Sequence, residues 1–147
     1  MANVILVFGS TTGNTEMLAE HVVAGLEEGM ASVTVKNVTE ASVDELADND
    51  AIVFGCSTWG EGDLQDDFVD FQEAMDGVSL EGKKAAVFGP GDSEGYTDSF
   101  CAAVDMLEET LKKCGAEIVA EGFKVDGVVE PAFEDAEAWG LKVAKAL

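Results

Sequence analysis

Along this chain, short runs that are apolar without a break alternate with longer segments whose apolar residues recur every three to four positions. Val4–Gly9 and Asp50–Gly55 are continuous runs of strand length, the pattern of a strand covered on both faces. Ser32–Asn37, Lys83–Gly89 and Ala116–Phe123 read as three further strands. Between them, Leu18, Val22 and Leu26 lie at helical spacing in a segment expected to start at Glu16 and to end near Gly29. Thr39–Asp48 suggests a short second helix around Asp44-Glu45-Leu46-Ala47. Leu64, Phe68, Phe71 and Met75 mark the core stripe of a third, from about Gln65. A fourth carries Val104, Leu107 and Leu111 and finishes with Lys112-Lys113 and Gly115, the complement of a helix dipole followed by a C-cap. Pro131 suits the opening turn of a last helix that turns Trp139, Val143 and Leu147 toward the core.

Strict alternation of strand and helix, with no repeat, linker or low-complexity segment, predicts one α/β domain over residues 1–147. The expected architecture is a doubly wound, five-stranded parallel sheet in the order 2-1-3-4-5, with helices on both faces. Such a sheet reverses its winding between the first and third strands, and ligands bind in the crevice outside the carboxyl ends at that point. The loops richest in Gly, Ser and Thr follow the first, third and fourth strands, so all three open toward this crevice.

Charge narrows the partners. The 147 residues, 47% hydrophobic, carry 8 Lys and no Arg against 30 Asp and Glu, a formal net charge of -22 (8 minus 30). Nucleic acid and anionic membrane both demand counter-charge on the protein and are unsuited; basic proteins are the expected partners. Met-Ala-Asn-Val lacks a charged leader and Val4–Phe8 is too short to span a bilayer, which points to a cytoplasmic protein. Cys56, Cys101 and Cys114 have neither disulfide-framework nor metal spacing and are expected as reduced, mostly buried thiols.

The chemistry lies in the loops. Ser10, Thr11, Thr12, Gly13, Asn14 and Thr15 join the first strand to its helix. Their hydroxyls, the Asn14 amide and the unpaired N–H groups of the helix start are donors converging where the helix dipole is positive: a phosphate cradle that needs no basic side chain. After the third strand, Cys56-Ser57-Thr58-Trp59-Gly60-Glu61-Gly62-Asp63 places a tryptophan in a glycine-rich loop, and Pro90 to Asp98 after the fourth carries the chain's single tyrosine, Tyr96. Donors in one loop and one large aromatic in each of the others describe a phosphorylated ligand with a flat aromatic head. His21, well past the first turn of its helix, is given no role.

Rival readings of an α/β sheet fail on specific residues. A receiver domain needs an aspartate ending the third strand, where this chain has Gly55-Cys56. A P-loop NTPase needs a lysine that Gly9-x3-Gly13-Asn14-Thr15 lacks. A cysteine phosphatase needs an arginine.

Ser-Thr-Thr-Gly-Asn-Thr after the first strand, Cys-Ser-Thr-Trp-Gly after the third, and Gly-x-Gly-Asp-Ser followed by Tyr96 and Phe100-Cys101 after the fourth resemble the flavodoxin family, specifically its short-chain members. Flavodoxin is itself a type example of the sheet order proposed above, with FMN at the switch point. The resemblance covers essentially the whole chain. It implies a noncovalently bound FMN and a low-potential, one-electron carrier between redox proteins, monomeric and not an enzyme. By position, Ser10 to Thr15 would hold the phosphate; Ser57 and Thr58 would approach the ribityl chain and ring edge; Trp59 and Tyr96 would flank the isoalloxazine. Gly60 and Glu61 would sit at the flavin N5, and Gly91, Asp92 and Cys101 would contact the pyrimidine edge. The loop from Trp59 to Leu64 is shorter than in some short-chain members and that from Asp92 to Phe100 longer. Glu94–Asp98 looks like long-chain members, although their insertion in the fifth strand is absent. The alternative on the same fold is an FMN-dependent quinone or nitro reductase, which needs an open substrate pocket over the flavin.

Overall fold

The structure, a computed structural model, describes residues 2–9, 13–56, 58–59, 63–64, 66–91, 102–126 and 129–147. Strands β1 (Asn3–Gly9), β2 (Ser32–Asn37), β3 (Ala51–Cys56) and β6 (Lys84–Gly91) form a parallel sheet whose far side is completed by two short strands, β7 (Glu117–Ile118) and β8 (Phe123–Asp126). The order is β2-β1-β3-β6, then β7 and β8 both beside β6. This is the expected 2-1-3-4-5 sheet, with the fifth position divided. Among the described residues, β4 (Thr58–Trp59) and β5 (Asp63–Leu64) form a separate antiparallel ribbon.

Alternation along the central strands sends successive side chains to two cores. Val4, Leu6 and Phe8 of β1 and Val53 of β3 face helices α1 (Asn14–Glu28) and α5 (Phe133–Lys145). Ile5, Val7, Ile52 and Phe54 face α2 (Val43–Leu46), α3 (Asp66–Ala74) and α4 (Ala102–Lys113). Every residue of β3 is buried, as its unbroken apolar run requires. On the α3 side the rings of Phe54, Phe68 and Phe71 meet edge to face, with centroids 5.3 to 5.9 Å apart.

The fifth strand departs from its expected single run over Ala116–Phe123. It pairs with β6 at Glu117–Ile118, leaves the ladder, and pairs again from Phe123. Two contacts account for the gap. Gly122 packs so closely on Val104 that a Cβ there would stand 2.6 Å from a valine methyl. The carbonyl of Glu121, turned out of the ladder, accepts a 2.9 Å hydrogen bond from the Trp139 indole N–H. Trp139 thus fills its expected core place, stacked on Phe123 and edge-on to Phe88, and also caps the interruption.

Pro131 is the second residue of a 3-10 turn, Glu130–Ala132, that leads into α5. The first helix starts at Asn14, two residues before the expected Glu16, because Gly13 takes φ 90° and turns the chain directly into it. At its other end Met30, with φ 72°, occupies a left-handed position where glycine is the usual choice.

Candidate functional site: the switch-point crevice

The carboxyl ends of β1, β3 and β6 lie side by side. Gly9 is in register with Cys56, and Gly55 with Phe88. Small residues allow the approach: a Cβ on Gly89 would fall 1.9 Å from the Cys56 carbonyl oxygen, and one on Gly55 would meet the Phe88 ring at 2.3 Å. α1 lies on one face of the sheet and α3 on the other, so the winding reverses between β1 and β3 as expected.

At the end of β1, Gly13 caps α1 with no side-chain hydrogen bond. Nothing lies within 4 Å of a Cβ at this position, so glycine is needed here for its backbone angle and not for space. The first intrahelical bond runs from Met17 N–H to the Gly13 carbonyl, which leaves the N–H groups of Asn14, Thr15 and Glu16 in the unbonded first turn. Thr15 is only 1% exposed and is the buried polar residue among those described. Its hydroxyl has no hydrogen-bond partner among the described residues. A buried hydroxyl left unpaired costs about 1–3 kcal/mol, so one persists where a missing acceptor completes it. A buried hydroxyl and helix-start amides without partners among the described residues, on a helix without Lys or Arg, fit a phosphate group held by neutral donors.

At the end of β3 the chain enters the ribbon, in which Thr58 opposes Leu64 and Trp59 opposes Asp63. The sequence pattern here is that of a loop, because two-residue strands leave no periodicity to detect. The ribbon packs on β6 and α4, which brings the Thr58 and Trp59 backbone beside the strand that ends at Gly91. Of the predicted site residues, the structure therefore gathers Gly13, Asn14, Thr15, Thr58, Trp59 and Gly91 at one end of the sheet. Ser10, Thr11, Thr12, Ser57, Gly60, Glu61, Asp92, Tyr96 and Cys101 lie outside the described residues.

The remaining chemistry-bearing side chains have structural roles. His21 shares a 2.7 Å hydrogen bond between Nδ1 and Glu137 Oε2, and its ring stacks on Phe133 at 4.1 Å, joining α1 to α5. Cys56 is a buried, reduced thiol. Cys114 is free and half-buried; burial, with the Asp76 carboxylate adding to it, pushes its thiol above the ordinary value and keeps it protonated. No group of His, Cys, Asp and Glu among the described residues could hold a metal ion. No helix in those residues is long and apolar enough to cross a membrane.

Fold and site together define a class: a doubly wound α/β protein that presents the start of a helix and its donors at its switch point. Comparison with known proteins narrows it. The flavodoxin sequence profile matches residues 6–140. A flavodoxin from Maridesulfovibrio salexigens is 45% identical over 147 residues, covering 98% of this chain and 98% of its own. One from Nitratidesulfovibrio vulgaris strain Miyazaki F is 43% identical over 150 residues, with all of both chains covered. The solved oxidised flavodoxin 1 of Bacillus cereus matches the fold with a TM-score of 0.93 at 38% identity, covering 99% of each chain. The chain belongs to the flavodoxin family and is of its short-chain kind. Flavodoxins are electron carriers whose cofactor is FMN, and the donor set at the start of α1 suits that cofactor's phosphate.

Proposed function

We propose that this protein carries electrons one at a time and at low potential between redox proteins, with FMN held noncovalently at the switch point. The observation that carries the reading is the buried Thr15 hydroxyl, which has no hydrogen-bond partner among the described residues, beside the first-turn amides of α1, in a chain that belongs to the flavodoxins. FMN supplies an isoalloxazine ring that can accept and release single electrons. The chain's own task is to bind and orient that ring. Ser10 to Thr15 hold the phosphate through neutral donors; Ser57 and Thr58 meet the ribityl chain and the ring edge. Trp59 and Tyr96 flank the ring, Gly60 and Glu61 stand at its N5, and Gly91, Asp92 and Cys101 line its pyrimidine edge.

The partners are basic proteins drawn to a chain of net charge -22, which works as a cytoplasmic monomer. A spectroelectrochemical titration of the purified protein tests the reading. Two separated one-electron steps without quinone turnover are expected; a single two-electron step with rapid turnover of quinones or nitro compounds would overturn it in favour of a reductase.

A further inference from the structure

Beside the cradle helix, a cleft of about 540 Å³ opens between α1 and β2. Its floor is apolar: Phe8, Ala19, Val23 and Val35. Phe8 and Ala19 are buried, but Val35 is 44% exposed, one of few large hydrophobic residues so placed. The cause is topological. β2 is the outer strand of the sheet and, among the described residues, pairs only with β1, while α1 packs against α5, so no described helix fully covers Val35. The rim is anionic. Glu16, Glu20 and Glu40 line the cleft, and among the described residues no lysine does. Lys36, next to Val35 in sequence, points to the opposite face and pairs with Glu45.

From this arrangement we propose that the cleft is a docking site for a basic segment of a protein partner, in which an aliphatic or aromatic side chain stands between lysines or arginines. The apolar side chain covers Val35 and Phe8, and the flanking cations reach Glu16, Glu20 and Glu40. Charge selects this occupant. A second copy of the chain would bring 30 acidic residues and 8 lysines against the same three carboxylates, and nucleic acid or an anionic bilayer would be repelled in the same way. Because the floor includes the end of β1 and one wall is the cradle helix, a partner seated here lies beside the switch-point crevice. The proposal rests on the carrier reading, which the titration above tests separately, so either can fail alone.

The test uses the FMN-loaded protein and a capped peptide with one phenylalanine between two pairs of lysines, followed by amide chemical shifts at low salt. The expected shifts concentrate on Phe8, Ala19, Val23 and Val35. Val35→Ser should weaken binding about tenfold, the cost of losing one buried aliphatic contact. Glu20→Gln with Glu40→Gln should weaken it more than Glu109→Gln with Glu117→Gln, which removes the same charge from exposed positions on α4 and β7. Shifts spread over the acidic surface, equal loss in both double variants, or binding indifferent to Val35→Ser would overturn the proposal. So would shifts at the cleft that grow with protein concentration without peptide, which would make a second copy the occupant.

Discussion

Gly25 of α1 and Gly140 of α5 lie against each other where the two helices cross: a Cβ on Gly140 would stand 3.2 Å from the Gly25 Cα and 2.3 Å from the Val22 carbonyl oxygen. A Cβ on Gly25 would fall 2.0 Å from the carbonyl oxygen of Glu137. Backbone meets backbone at this crossing, so no side chain can rotate away to make room. Gly25→Val should therefore force the helices apart and cost about 1–3 kcal/mol or more, the range for overpacking a tight core. Because α1 begins at the cradle, FMN affinity should fall with stability. Chemical denaturation and a flavin titration measure the two; an unchanged midpoint would show that the helices can separate freely.

Thr15→Val removes the buried hydroxyl while keeping its shape. In the apo protein the change should be neutral or slightly stabilising, since it deletes a buried polar group that has no partner among the described residues. In the complex it removes a charge-assisted hydrogen bond of about 1.5–3 kcal/mol, so the FMN dissociation constant should rise roughly 10- to 100-fold. Riboflavin, which lacks the phosphate, should bind much more weakly than FMN to the wild type and lose little in the variant. Equal dissociation constants for FMN and riboflavin in the wild type would remove the cradle.

Burial pushes the Glu108 carboxyl above its ordinary value; Asp105 and Glu121 add to the rise, and Lys112 and Lys124 oppose it. A carboxyl raised on folding binds its proton more tightly in the native state. Its contribution therefore favours folding while it is protonated and is lost as pH climbs from the ordinary value through the raised one. Glu108→Gln should be more stable than the wild type at pH 7.5, by a margin that narrows as pH falls toward about 5. Urea unfolding at the two pH values checks it, and a gap that widens on acidification would contradict the sign.

Glu61, Asp63, Asp66, Asp67, Asp92, Glu94 and Asp98 fall in or beside the two loops assigned to the flavin ring. At a nominal ~12 Å, one carboxylate opposes a further negative charge by about 0.35 kcal/mol in unscreened water. Seven sum to roughly 2.4 kcal/mol, or about 100 mV for one electron, before salt reduces it. Replacing several with Asn or Gln should raise the second one-electron potential and flatten the salt dependence of association with a lysine-rich redox protein. A potential and a salt slope both unmoved would dismiss these charges from either role.

The sheet was legible because its signal is physical and local. β1 and β3 are buried on both faces, and burial on both faces is what an uninterrupted apolar run records. β2 was legible to the residue, bounded by Ala31 and by the Asn37 turn, whose side chain accepts from the Thr39 amide at 3.0 Å. What escaped was set by partners distant in sequence. The gap in the fifth strand depends on an indole 18 residues further on, and no local pattern in Val119–Gly122 announces it. The ribbon at Thr58 and Asp63 is too short for a period of two to show. Composition suggests a cradle in Ser10–Thr15, but the early start of α1 at Asn14 follows from one left-handed glycine, a backbone angle that composition leaves open. The sequence marks Val35 only as a strand residue; its exposure comes from β2 standing at the sheet's margin.

The divided fifth strand has a consequence for how this chain can grow. The Val119 N–H makes the last bond to β6, 3.0 Å from the Ala85 carbonyl oxygen, and residues 120–122 then leave the ladder, while β7 and β8 are each held in their own register by β6. Added residues between Glu121 and Gly122 would break neither strand's ladder pairing nor the Trp139 hydrogen bond. Their cost would be that of closing a longer loop, about 0.6 kcal/mol for each doubling of its length. The outer face beside α4 is thus a port in the fold, where a grafted segment could change what the protein meets while the crevice at the other strands' ends keeps its shape.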